Sequence, residues 1–116
     1  NVITCDVVVG GERKRVVVDT GAGFALMLHA ARGHARGGAA LSTVHGAHVH
    51  GRTVVVPRVH FAGSDFQDVP VVVAPTAHVP QGTDGLIGLG LLRCVDIFLS
   101  RHSVGMRANG QAPLAA

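Results

Sequence analysis

One acid stands apart from the other six in this sequence. Asp19 ends the β-branched run Val16-Val17-Val18 and opens the triplet Asp19-Thr20-Gly21, followed by Ala22. An apolar strand that delivers a carboxylate into a tight turn holds that acid at a fixed place, where it can take a proton from water or give one to a carbonyl oxygen. Asp and Gly in a row also supply ordinary turn chemistry, so the triplet alone decides little. A second segment gives it weight: Asp84-Gly85-Leu86-Ile87-Gly88-Leu89-Gly90-Leu91-Leu92, an apolar pair, a glycine and a short helical run. Asp65, Asp68, Asp84 and Asp96 lack an apolar strand running into a Gly turn and read as turn or surface acids.

The elements that must position Asp19 follow from the apolar pattern. Val2 to Val9 and Arg13 to Asp19 read as two strands joined by a turn at Gly10-Gly11, a hairpin signal. Phe24 to Leu28 returns as a third strand. His29 to Leu41, rich in Ala, Gly and Arg, has no clean period and is expected to be a surface connection with a helical turn. Two strand-like arms, Thr43 to Gly51 and Arg52 to Val56, surround a His- and Gly-rich centre. Val69 to Ala74 is a strand, Thr76 to Thr83 a linker and Gly85 to Ile87 a short buried strand. Gly88 to Cys94 reads as a single helix, and Val95 to Leu99 with Val104 to Arg107 as a closing hairpin.

These segments together resemble the retropepsin-like aspartic proteases. Val7 to Ala22 is similar to that family's strand, Gly-Gly turn, strand and catalytic loop. Val71-Val72-Val73-Ala74-Pro75-Thr76, then Gly85-Leu86-Ile87-Gly88 and a short helix, follow its C-terminal order. The resemblance implies an all-β fold, a closed single-lobe barrel with one short C-terminal helix, spanning residues 1–107, and an aspartic endopeptidase that uses no cofactor and no metal. Asp19 would be the catalytic residue. Thr20 would brace the loop across a dimer axis, Gly21 would let an amide approach the carboxylate, and Ala22 would leave room for the substrate backbone. Leu86, Ile87 and Gly88 would support the loop from below. His45, Gly46, Ala47, His48 and Val49 would belong to a flap closing over a protein or peptide substrate.

One Asp cannot serve as base and acid at once, whereas two carboxylates about 3 Å apart share a proton and supply both. The chain holds one Asp-Thr-Gly and no internal repeat. A homodimer, with Asp19 from each subunit at a two-fold axis, is therefore expected. The chain departs from the family where Leu89-Gly90 replaces the polar residues common at the helix start, and where residues 108–116 read as a disordered tail rather than a strand. Its style is closer to bacterial single-domain members than to viral ones.

Composition narrows the rest. The chain is 47% hydrophobic and 3% aromatic, so its core is built from aliphatic side chains, and the Val content favours strands. Ten Lys and Arg against seven acids leave scattered positive charge without aromatic interleaving, which argues against nucleic acid as a partner. No apolar run approaches the roughly eighteen residues of a membrane span, so no membrane contact by this domain is expected. Location stays open between the cytoplasm and, if a leader was removed, a periplasmic or membrane-anchored setting. Cys5 and Cys94 read as free thiols, with a disulfide as the periplasmic alternative.

Two other readings compete. His48 and His50 share a strand face, so with His45 and His60 they would make a metal or pH-responsive site; exposed hairpin positions are the plainer reading. The other is a noncatalytic domain that keeps the fold for peptide binding or dimerisation.

Overall fold

The computed structural model describes residues 2–42 and 48–114. The first hairpin joins β1 (Thr4–Val9) to β2 (Glu12–Val18). Its two-residue turn holds Gly10 and Gly11 at φ +57° and +87°, the left-handed pair that matches the twist of flanking strands. Then come β3 (Leu26–Leu28), β4 (His34–Ser42), β5 (His48–Phe61) and β6 (Ser64–Val73). After a single 3₁₀ turn at Thr76–His78, β7 (Gly85–Ile87) leads into α1 (Leu89–Leu92), and β8 (Val95–Leu99) pairs with β9 (Val104–Ala108).

Six strands close a barrel in the order β1-β2-β7-β3-β6-β5, sealed by Val8 and Val9 of β1 pairing with His60 and Val59 of β5. β4 extends the sheet beyond β5, and β8 with β9 forms a separate ribbon. The fold is the expected one: a closed single-lobe barrel with one short helix.

Registration sorts the side chains into layers. Val18, Ile87, Leu26 and Val71 stand side by side across four strands and pack into the barrel interior. The neighbouring row, Val17, Leu86, Met27 and Val72, points to the outer face and is buried there with Ala22, Phe24 and Ala74. Period-two alternation therefore yields two apolar clusters from the same four strands.

Several sequence boundaries move. The stretch expected to be an irregular connection with a helical turn contains β4, which pairs with β5 from His34↔Val55 to Ser42↔His48 with an irregularity between Ala35 and Gly37. Ala and Gly have poor strand propensity, but a long partner edge outweighs it. The second arm runs on to Phe61 rather than ending at Val56. Pro57 is accommodated there: it falls between the Val56↔Val69 and Arg58↔Gln67 pairs, opposite Asp68, which has φ +53°. The helix is four residues long, shorter than Gly88 to Cys94. Among the described residues no helix is long and apolar enough to cross a membrane.

Past β9, Asn109 donates its amide to the Cys94 carbonyl and its Nδ2 to the Arg93 carbonyl, both within 2.9 Å. Leu114 donates to the Gly90 carbonyl at 2.8 Å. The tail thus lies along α1.

Candidate active site

Asp19 leaves β2 at the rim of the barrel, where parallel pairing of β2 with β7 aligns Val18 with Ile87. Its amide donates to the Ile87 carbonyl at 2.9 Å, which extends the ladder by one bond into the loop. The turn then closes on itself: the Gly21 amide donates to Asp19 Oδ1 at 3.0 Å, and the Ala22 amide to the Asp19 carbonyl at 3.2 Å. An amide donated to a carboxylate fixes its orientation. Asp19 is half-buried, Thr20 and Gly21 are exposed and Ala22 is buried. The carboxylate is held by backbone yet reachable from solvent.

The second motif supports this loop through three different surfaces. Ile87 faces the barrel core and Leu86 faces the outer cluster that contains Ala22. Gly88 meets the loop by backbone: a Cβ there would overlap the carbonyl oxygens of Phe24 and Ala22. Its amide donates to Ala25, and the next two amides, Leu89 and Gly90, donate to Ala22 and Phe24 at 2.8 and 3.0 Å. Ala22, Phe24 and Ala25 thereby each accept one bond from the segment 88–90.

That arrangement accounts for Leu89-Gly90 where a polar anchor was expected. A side chain at position 90 would overlap the Ala25 amide nitrogen and the Leu114 carbonyl, and α1 is tied down by main-chain bonds on both sides.

Of the flap residues, His48 and Val49 begin β5 opposite Ser42 and Leu41. His45, Gly46 and Ala47 lie outside the described residues. β4 and β5 form the two arms on either side of them. His60 lies toward the other end of β5, with Nδ1 2.8 Å from Asp65 Oδ1. Among the described residues, no three His, Cys, Asp or Glu side chains converge as a metal site would require.

Asp84, read from sequence as turn chemistry, carries more than a turn. Its Oδ2 accepts from the Arg15 amide at 2.8 Å, its own amide donates to the Arg15 carbonyl at 2.8 Å, and Oδ1 lies 3.5 Å from His29 Nε2. It fixes the entry of β7 beside β2. The Arg15 amide holds its carboxyl below the ordinary range, with His29 and Lys14 adding to the effect against partial desolvation. Cys5 and Cys94 are free thiols, both pushed up by burial, Cys5 also by the neighbouring Asp6 charge.

Sequence reasoning also missed a set of exposed apolar side chains. Leu89, one residue past Gly88, is 46% exposed, and on the β8–β9 ribbon Ile97 is 58% and Phe98 47% exposed. Met106, the register partner of Ile97, is 37% exposed. Single exposed residues are common, so only their collection on one small ribbon distinguishes them.

No curated protein matches the chain. Residues 5–91, which run from β1 through the Asp19 loop and β7 into α1, match the aspartyl protease family. With that match, the closed single-lobe barrel and a carboxylate-bearing loop hung from β7, the chain belongs to the aspartyl proteases of the retropepsin-like type.

Proposed function

We propose that the protein is an aspartic endopeptidase active as a homodimer, with the two Asp19 residues paired at the two-fold axis. The observation that carries this reading is the Asp19 loop itself. A half-buried carboxylate is oriented by the Gly21 amide, and its own main-chain amide is bonded to β7 at the open rim of the barrel. One such carboxylate supplies half of the chemistry. Two brought within about 3 Å cannot both ionise, so the pair holds one proton between them. The ionised member takes a proton from the attacking water while the protonated member donates to the carbonyl oxygen of the scissile peptide. The dyad titrates as a unit.

The apolar ribbon supports assembly. A two-stranded hairpin with uncovered apolar side chains is marginal alone in water, and Ile97 and Met106, register partners on one face, gain by being covered. Leu89, whose amide bonds to the Ala22 carbonyl, places another exposed apolar side chain beside the catalytic loop. In this reading Thr20 braces the paired loops, Ala22 leaves space for substrate backbone, and the β4–β5 hairpin closes over an extended peptide. No cofactor or metal takes part.

The test is cleavage of a random peptide library between about pH 4 and pH 8 by wild type and Asp19→Asn, with sedimentation of both. Cleavage by the wild type, its loss in the variant and a rate that rises with dimer population are expected. A stable dimer that cleaves nothing would replace this reading with a noncatalytic peptide-binding one.

A further inference from the structure

At the end of the barrel remote from Asp19, a cavity of about 330 Å³ opens between the β1–β2 hairpin, the segment after β3 and the strand β5. Its apolar floor includes Val9 and Val73, and the cations Lys14, Arg32 and Arg52 line it together with His29 and one acid, Glu12. Lys14 is the unusual member. It shares a strand face with the core residue Val16, two positions along β2, and its side chain is 14% exposed. Lys14 lies five positions from Asp19, roughly 16 Å of strand, so this cavity is separate from the Asp19 loop.

The charge in it is not balanced. Glu12 lies 3.2 Å from Lys14, but its own side chain is largely exposed. Among the described residues, neither Arg32 nor Arg52 has a carboxylate within ion-pair distance. The nearby Asp84 is occupied by the Arg15 amide and His29. Gathering Lys14, Arg32 and Arg52 around one space costs repulsion between like charges, although both guanidiniums are themselves exposed to solvent. An anion seated among them would offset that cost, and guanidiniums suit a multi-oxygen head better than a single charge.

We propose that this barrel-mouth cavity binds a small phosphate monoester, with its dianionic head among Lys14, Arg32 and Arg52 and its apolar body on Val9 and Val73. The volume lies at the lower end of small-ligand sites, larger than a bare phosphate needs. The site is independent of the protease reading.

Titration of the ¹⁵N-labelled full chain with phenyl phosphate at low ionic strength tests it. Saturable amide shifts are expected at Val9, Gly10, Ala30, Ala31 and Val73, retained in Asp19→Asn. Inorganic phosphate and benzoate are expected to shift the same amides with weaker affinity, and phenol to shift none. Arg32→Gln/Arg52→Gln, at two exposed positions, is expected to weaken phenyl phosphate binding at least roughly tenfold. Absence of saturable shifts would overturn the proposal. So would unchanged affinity in the double variant, or binding of phenol as tight as that of phenyl phosphate, which would make the cavity merely apolar.

Discussion

The amide of Asp19 donates to the carbonyl of Ile87 at 2.9 Å, so the carboxylate-bearing loop hangs from a strand that lies far downstream in the chain. Because Gly88 then lies against the Ala22 and Phe24 carbonyls, the two motifs meet main chain to main chain at that point.

Gly88→Ala is expected to be severe. The added methyl meets backbone oxygens rather than movable side chains, and overpacking of that kind costs about 3 kcal/mol or more. Thermal unfolding checks it, with a fall in the midpoint of several degrees as the expected result and a wild-type midpoint as the contrary one.

Ile87 is fully buried in the barrel layer beneath the loop. Ile87→Ala is expected to lose about 2–5 kcal/mol and Ile87→Val about 1 kcal/mol. Denaturant titration measures both. A graded fall in cleavage rate under native conditions would follow the loosening of Asp19.

Asp84 makes stability depend on acidity. Its folded-state pKa is lowered, first by the Arg15 amide, so its contribution is complete above about pH 4, the unfolded range of an Asp. That contribution is lost as the pH falls through the lowered folded value. Asp84→Ala is expected to cost about 1 kcal/mol near neutrality and to flatten the stability curve across that acid window. An acid limb identical to wild type would remove Asp84 as its source.

Ile97→Ser/Met106→Ser changes two register partners that face solvent in the single chain. The monomer's stability is expected to stay within about 0.5 kcal/mol of wild type, while dimer affinity falls roughly tenfold per side chain. Activity would then reappear as concentration is raised. A fully active monomer would end the paired-Asp19 mechanism.

How much of this was legible in the sequence depends on where each feature's cause lies. The first hairpin, β7 and the Asp19 loop could be read because valine runs, a Gly-Gly turn and a strand-ending acid are local signals. β4 could not, since its Ala- and Gly-rich segment is extended only by pairing with β5. The short helix was overextended because the bonds from Gly90 to Leu114, and from Cys94 to Asn109, come from the tail. Asp84 looked like any Asp-Gly turn; its partner Arg15 is 69 residues away. The cations of the barrel mouth lie far apart in the chain and meet only when the barrel closes.

The place of β7 between β2 and β3 also governs when the barrel can close. Val16 to Val18 pair with Gly85 to Ile87 across some seventy intervening residues, so a costly loop must close before these contacts return anything. During synthesis, the Asp19 turn emerges long before the strand it hangs from. A nascent chain therefore carries Asp19 without its β7 partner until the later motif has been made.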